Sequence, residues 1–275
     1  MIFLIGEFFN RFAFNQFGNR KKARLVIMPA KKKEIIYCIL GIMACLMPAG
    51  CKKDEPVDHS IQGYAYASQG LYDQAIAEFN KALNTNPMSA EIYYNRGLAY
   101  YHKAEFDRAI EDCNKALEIN ARYADAYNNR GNAYANKGQY DRAISDFGRA
   151  LEINPDFAEA HYNCGVTYDH KGELDPAISE FTKAIEINQT YADAYCNRGL
   201  VYGKKGQYDQ AIADFDKSIE LNPKSAEAYY NRAVANCGLK EYEKAWQDIR
   251  RAQNLGFQVP AGFLNKLRQD SKREE

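Results

Sequence analysis

The chain has 275 residues, of which 46% are hydrophobic and 13% aromatic, enough apolar surface for a folded protein. Its formal net charge is zero, but residues 1–50 carry 8 basic and 2 acidic side chains, so residues 51–275 hold 28 basic against 34 acidic ones, a net charge of −6. An acidic region without a basic stripe argues against nucleic acid as the main partner, because phosphate contacts need clustered Lys and Arg.

Residues 1–50 form a leader region, in which residues 28–50 have the order of a secretory signal peptide. Lys31, Lys32 and Lys33 precede an apolar run at 35–47, and small residues follow. About 13 apolar residues are fewer than the roughly 20 that a helix needs to cross a bilayer. Residues 1–27 mix aromatic and charged side chains and do not fit this order, so we expect Met28 to be a better start.

The end of this segment, Pro48-Ala49-Gly50-Cys51, resembles the lipobox of bacterial lipoproteins, in which the cysteine is diacylated and becomes the mature N-terminus. Pro48 departs from the family's usual Leu, and Cys45, after Ile42-Met43-Ala44, is a second candidate for lipidation. The resemblance implies a protein anchored by lipid at Cys51 in the bacterial cell envelope, facing the periplasm or the exterior, with residues 51–55 as a short tether. Secretion and an uncleaved single-pass anchor are the alternatives.

Residues 56–259 consist of six copies of one 34-residue pattern that align without gaps. The frames are 56–89, 90–123, 124–157, 158–191, 192–225 and 226–259. Position 8 of the frame is Gly in the first five copies and Ala in the sixth, and positions 20 and 27 are Ala with one Ser. Small residues at fixed positions predict helices that pack closely.

Each frame predicts two helices separated by a turn. In the third frame, apolar residues recur at helical spacing up to Tyr134, and Gly138 then breaks the run. Asp141 is of the N-cap type and predicts the start of a second helix. That helix should end at Asn154, a residue type that tolerates the left-handed conformation of a helix end.

A 34-residue period with Tyr at positions 4 and 11 and Phe at position 24 resembles the tetratricopeptide repeat, a helix–turn–helix unit. The resemblance implies an all-α fold, an α-solenoid wound as a right-handed superhelix, with the first helices lining its concave wall. Residues 260–275 predict a capping helix and a charged tail: Phe263, Leu264 and Leu267 should pack on the last repeat, as solenoid ends require.

Two polar ladders run through the repeats. Position 7 is Arg in four frames, and position 23 is acidic in all six, which predicts an ion pair within each repeat that has the Arg. A basic strip for an anionic ligand is the alternative. Position 5 carries Tyr94, Tyr162 and Tyr230, which could stack on a ligand or pack on the next helix.

Position 6 is Asn in five consecutive frames, and on the concave wall these side chains would form a row resembling the asparagine ladder of peptide-binding solenoids. The residues are Asn95, Asn129, Asn163, Asn197 and Asn231. An amide can accept from and donate to one peptide unit whatever its sequence. With helices about 8–10 Å apart, the row matches about 10–12 residues of extended chain. The alternative is that duplication left a merely tolerated, exposed Asn in each repeat.

The functional expectation is therefore a protein-interaction adaptor, tethered to a membrane, whose groove binds an extended peptide segment of a partner protein. A scaffold for envelope assembly or self-association with an empty groove is the alternative. Position 2 is acidic from the second repeat on, which favours ligands with Lys or Arg. The four His and seven Cys show no catalytic, metal or disulfide spacing, and no phosphate loop is present. We expect no enzyme activity, no cofactor and no small-molecule substrate.

Overall fold

The computed structural model of the protein describes residues 58–272, and this part of the chain contains thirteen α-helices and no strand. The chain divides into two compact units after Ala82, within the second helix, and each unit is described by itself. The leader, both candidate lipidation cysteines and the tether lie outside the described residues, so those expectations stay predictions. None of the helices between residues 58 and 272 combines the length and apolar character that a membrane crossing needs.

The helices alternate with short turns along the whole described chain. The first helices of the six repeats are α1 (His59–Ser68), α3 (Ala90–His102), α5 (Ala124–Asn136), α7 (Ala158–Lys171), α9 (Ala192–Lys204) and α11 (Ala226–Gly238). The second helices are α2 (Tyr72–Thr85), α4 (Phe106–Ile119), α6 (Tyr140–Ile153), α8 (Leu174–Ile187), α10 (Tyr208–Leu221) and α12 (Tyr242–Asn254). A last helix, α13, spans Ala261–Ser271.

Residues 58–82 form one helical hairpin. Asp58 caps α1, because its carboxylate accepts from the Ser60 amide at 3.0 Å. Gly63 faces the ring of Phe79, and a Cβ atom there would lie 2.5 Å from Phe79 Cε1. The two helices of this hairpin therefore approach each other as closely as the glycine pattern predicts.

In residues 83–272, each first helix packs on the second helix of its own repeat, and α5, α7, α9 and α11 also pack on the second helix of the repeat before, the stacking of an α-solenoid. The small residues make this possible. The alanines at position 20, for example Ala143 and Ala211, are completely buried, and so is the ring of Phe147 at position 24. In the last repeat, Ile249 takes the place of Phe, and there position 8 is Ala233 rather than Gly.

The first helices end at a left-handed residue at position 15 of each frame, which is Gly in four of the repeats, with φ between 71° and 80°. In the other two repeats the same conformation is held by Ala104 and Lys240, with φ of 58° and 63°. The sequence pattern did not predict these two positions, because neither residue type favours positive φ.

The prediction that Asp141 caps the second helix is wrong. Helix α6 begins at Tyr140, its N-cap is Gln139, and no side chain caps it. Asp141 lies in the first turn, where a negative charge is favoured by the helix dipole. Its carboxylate binds Lys171 of the next repeat at 2.8 Å instead.

The prediction of a left-handed residue at Asn154 is also wrong. Asn154 has φ of −133°, and Asn120, Asn188 and Asn222 have similar values at the same position. In three of these turns the side chain explains the preference for Asn. It accepts from the backbone amide two residues later, for example Thr190 on Asn188 at 3.1 Å, and so forms an Asx turn.

Helix α13 closes the C-terminal end of the solenoid. Leu267 is buried against Ala233, Trp246 and Ile249, and Phe263 and Leu264 join the same cluster. Asn265, Arg268 and Gln269 are exposed. Helix α13 therefore caps the last repeat as predicted.

Candidate functional site

The five asparagines at position 6, which we call the asparagine row, lie on five consecutive first helices, α3, α5, α7, α9 and α11. None of them is exposed: Asn129 is only 3% accessible, and the other four are half-buried. The structure therefore does not match the alternative in which Asn is a tolerated surface residue.

Most amide groups of the row donate to the repeat that precedes them. Asn163 Nδ2 donates to Asn128 Oδ1 at 3.1 Å, and Asn197 Nδ2 donates to the Tyr162 hydroxyl at 2.8 Å. Asn129 Nδ2 donates to the sulfur of Cys113 at 3.5 Å. These bonds join neighbouring repeats, so the row has a structural role in addition to any role in binding.

The two ends of the row differ from its middle. Asn95 donates to the Glu91 carbonyl oxygen within its own helix, at 2.7 Å. Asn231 Nδ2 is buried and has no oxygen acceptor among the described residues, with only the weakly accepting thiol of Cys196 near it. For Asn231 a signal was present in the sequence, because position 5 of the preceding repeat is Cys196, whereas it is Asn128 before Asn163 and Tyr162 before Asn197.

The tyrosines at position 5 pack within the protein. The ring of Tyr94 lies 5.0 Å from that of Tyr123, and the ring of Tyr162 lies 4.9 Å from that of Tyr191, measured between centroids. Tyr230 stacks on Phe257 at 4.8 Å. Of the two expectations for these tyrosines, the structure shows packing on the segment that leads to the next helix.

The predicted Arg–Asp pairs are confirmed in all four repeats that carry the Arg. Arg130 binds both oxygens of Asp146, through Nε and Nη2 at 2.7 Å each. Arg96, Arg198 and Arg232 form the same bidentate pair with Asp112, Asp214 and Asp248. Each guanidinium also lies over the ring of the Tyr at position 4 of its own repeat. The arginines are thus engaged, which does not favour the basic-strip alternative.

These arginines also join neighbouring repeats. Arg130 donates through Nη1 to Asn114 of the preceding repeat at 2.6 Å, and Arg198 donates to Thr182 at 3.0 Å. Arg232 binds Asp216 in the same way at 2.5 Å. Burial raises the pKa of Asp112 even though Arg96 binds it, because the carboxylate is desolvated.

The two repeats without Arg use histidine instead, a substitution that the sequence analysis missed. His161 Nδ1 lies 2.6 Å from Glu180, and its Nε2 lies 3.2 Å from the Pro155 carbonyl oxygen. His59 and Glu78 form the same contact at 2.6 Å in the first hairpin. A signal was present: Tyr at position 4 accompanies Arg and Asp, whereas His at position 4 accompanies Glu.

Residues 58–272 contain no group of His, Cys, Asp and Glu that could hold a metal ion. The four cysteines there are free, and burial raises the pKa of the Cys113 and Cys164 thiols to about 12. Such thiols stay protonated at neutral pH and are poor nucleophiles.

Comparison with known proteins places the repeats in a family. Tetratricopeptide repeat models match residues 90–123, 124–157 and 192–225, a TPR repeat model matches 63–103 and 170–206, and a further tetratricopeptide repeat model matches 215–247. No curated protein matches the sequence at a significant level.

Several solved structures are similar. A crystal structure of MamA is 32% identical with a TM-score of 0.54, covering 60% of this chain and 96% of that one. YrrB, described as a TPR protein with an unusual peptide-binding site, is 26% identical with a TM-score of 0.56, covering 71% and 97%. The pilF protein of Pseudomonas aeruginosa is 19% identical with a TM-score of 0.67, covering 79% of this chain and 96% of that one. At this identity the similarity shows the fold alone.

The chain therefore belongs to the tetratricopeptide repeat family. Membership of this family implies a protein-interaction adaptor, with other proteins as its partners.

Proposed function

We propose that the face of the first helices binds an extended segment of a partner protein, and that a lipid at Cys51 tethers the adaptor to a membrane of the bacterial cell envelope. The observation that carries the binding proposal is the regular placement of the asparagine row. Asn163 and Asn197 each bond to a residue 35 positions earlier, so their amides repeat with the same geometry from one first helix to the next.

The amide oxygens are the atoms that remain for a ligand. Asn163 and Asn197 use their NH₂ groups between repeats, and no described residue donates to their Oδ1 atoms. A row of acceptors suits the backbone N–H groups of an extended chain. The acids at position 2 add to this preference for donors. Glu91, Asp125, Glu159, Asp193 and Glu227 are all exposed on the first turns of these helices, so a segment with Lys or Arg fits best.

The tether would keep the repeats close to the membrane. Four residues, 52–55, separate Cys51 from the first frame and extend to about 14 Å at most. The partner would then be another envelope or membrane-associated protein. Secretion and a single-pass anchor are the competing possibilities for the leader.

A scaffold without a peptide in the groove is the second candidate, and one observation favours it. Asn129 is buried, and three amides of the row bond between repeats. A row that serves only to join repeats would also place Asn at position 6 of every frame.

The test of the groove uses the full chain and a display library of random 12-residue peptides. Asn163→Ala together with Asn197→Ala should reduce binding of the selected peptides at least about tenfold, the effect of losing one to two hydrogen bonds. The matched control is Asn154→Ala with Asn254→Ala, two exposed asparagines outside the row. Helicity at 222 nm should stay unchanged in both.

A further variant separates binding from stability. Tyr162→Phe removes the hydroxyl that accepts from Asn197 but leaves the amide in place. Peptides that still bind Tyr162→Phe and no longer bind the double alanine variant support the groove. Undiminished binding to the double alanine variant, or no selected peptide with wild type, would support the scaffold.

The tether has its own test. Radiolabelled palmitate should enter wild type and Cys45→Ser but not Cys51→Ser. Label that depends on Cys45 instead would move the anchor to that residue, and an unlabelled wild type would exclude a lipid anchor.

A further inference from the structure

A cavity of about 480 Å³ opens on the first-helix face at the C-terminal end of the solenoid. Its wall is mainly apolar and includes Leu200 of α9, Phe215 of α10, Val234 of α11 and Phe263 of α13. The cavity lies among frame positions 6, 9, 12 and 13 of the last two repeats, so it continues the face that carries the asparagine row. Val234 is 39% accessible, although most large apolar side chains of the solenoid are more deeply buried.

The absence of a side chain at Gly203 contributes to this cavity. Gly203 stands at frame position 12, where two earlier repeats carry Tyr101 and Asp169, and a Cβ atom at Gly203 would meet nothing within 4 Å. Gly238, at position 13, instead makes room for the ring of Tyr208, because a Cβ atom there would lie 2.5 Å from Tyr208 Cε2. Gly203 alone therefore leaves the apolar wall open to a ligand, at a position where two other repeats place a larger side chain.

One hydrogen-bond donor at the cavity lacks an oxygen acceptor. Asn231 lines the cavity, and its buried Nδ2 atom has only the thiol of Cys196 near it among the described residues. Asn163 and Asn197 have oxygen acceptors at position 5 of the preceding repeat, but that position before Asn231 is Cys196. A thiol is a weak acceptor. A ligand that brings an oxygen would give this buried donor a stronger acceptor than the thiol.

The charges at the rim indicate a neutral occupant. Lys204 is paired with Asp169 at 2.6 Å, and Lys266 and Asp270 bring one charge of each sign on the same helix. The interior offers apolar carbon and one amide donor. A volume of this size is within the range of pockets that enclose small organic groups and accommodates an aromatic ring.

We propose that this cavity binds a large apolar side chain, aromatic or leucine-like, near one end of the extended segment, and that a main-chain carbonyl of that segment accepts from Asn231. This inference rests on the proposed function and adds an anchor that fixes the register of the bound segment. The amide row alone binds any sequence, whereas a pocket at one end selects segments that carry an apolar residue there.

The experiment fills the cavity. Gly203→Leu places a side chain in open space within a helix, where Leu is also the better helix former. The matched control is Gly148→Leu, because Gly148 lies in α6, is exposed, and also has nothing within 4 Å of its Cβ position. Both are compared with wild type, as full chains, in the selection from random 12-residue peptides.

We expect peptides selected on wild type and on Gly148→Leu to share a large apolar residue at a fixed place near one end. Replacing that residue by Ala should weaken binding to wild type at least about tenfold, as expected for losing one buried large side chain, and should matter little for Gly203→Leu. Asn231→Ala should weaken the same peptides without changing which residue is shared.

The outcomes separate the two proposals. Peptides that bind wild type and Gly203→Leu equally well, and still depend on Asn163 and Asn197, would overturn the anchor pocket and leave the groove standing. If no peptide binds wild type, both proposals fail. Light scattering gives a further outcome. If wild type and Gly148→Leu are dimers but Gly203→Leu is a monomer, the cavity is occupied by a second copy of the chain, which also overturns the peptide anchor.

Discussion

Gly131 faces the ring of Phe147 across the third repeat, and replacing it by Ala tests whether this close approach holds the hairpin together. A Cβ atom at Gly131 would lie 2.7 Å from Phe147 Cε1 and 3.0 Å from Cδ1. The ring is completely buried, so it cannot move away without displacing its own neighbours. The contact is therefore a clash that the hairpin must relieve by moving its helices apart.

Two effects oppose each other in this variant. Ala is favoured over Gly within a helix by about 0.8–1 kcal/mol. Inserting a methyl group into a well-packed core costs about 1–3 kcal/mol. Gly131→Ala should therefore lower the free energy of unfolding by up to about 2 kcal/mol. Gly148→Ala, the control, has an exposed helical glycine with nothing within 4 Å and should raise it by about 0.5–1 kcal/mol.

Urea unfolding followed by far-UV circular dichroism measures both variants. The gain in helix propensity is common to the two, so their difference isolates the clash, at about 1–3 kcal/mol. Because repeat arrays need not unfold in one step, the curves are fitted with one stability for each repeat and one for each interface between repeats.

A compensating change identifies the ring as the cause. The last repeat combines Ala233 with Ile249, so Phe147→Ile should accommodate Ala at position 131, and the double variant should be more stable than the sum of the single changes predicts. The reasoning is refuted if Gly131→Ala is as stabilising as Gly148→Ala, or if Phe147→Ile leaves the effect of Gly131→Ala unchanged.

Two further predictions concern the polar pairs. Arg130→Met leaves Asp146, which is 5% accessible, without its bidentate partner and should lower the stability by about 3–5 kcal/mol in urea unfolding. Arg149→Met, in a solvent-exposed pair, should leave the stability nearly unchanged. Burial opposes the charge of Glu180, but hydrogen bonds from His161 and Lys183 lower the pKa of its carboxyl below 4.5. The ionised carboxylate therefore stabilises the folded state above that pH, and this stabilisation is lost as the pH falls through the lowered pKa. In Glu180→Gln, Tm should therefore decrease less steeply below about pH 4.5 than in wild type. In Glu186→Gln, which changes an exposed residue, Tm should decrease as steeply as in wild type. Equal acid sensitivity of the two variants would contradict this prediction.

Much of the fold could be predicted from the sequence because a repeat shows each constraint several times. The small residues at positions 8, 20 and 27 indicated close helix packing, and the structure buries the position 20 alanines completely. The Arg–Asp pairs followed from the same argument, since two positions 16 residues apart carry opposite charges in the same frames. Each pair lies within one hairpin, so its geometry is set by local sequence.

The errors arose where local residue type was taken as local geometry. Asp141 is a good N-cap residue, but in the structure its carboxylate binds Lys171 of the next repeat. Asn154 can adopt positive φ, but its frame position stays extended. Ala104 holds a left-handed conformation that its own sequence does not favour, because the turn between the helices of its repeat requires it.

For the candidate site, the sequence determined which residues repeat: it places an amide at position 6 of five first helices and predicts that they share one face. Only the tertiary structure decided what each amide does. The preceding repeat supplies an oxygen to Asn163 and Asn197 and a sulfur to Asn129, whereas Asn95 donates within its own helix and Asn231 has no oxygen acceptor among the described residues. The physical reason is that hydrogen bonding and open volume at the junctions depend on side chains from two or three different repeats. A single frame fixes its own hairpin, whereas the cavity at Gly203 exists only where α9, α11 and α13 come together.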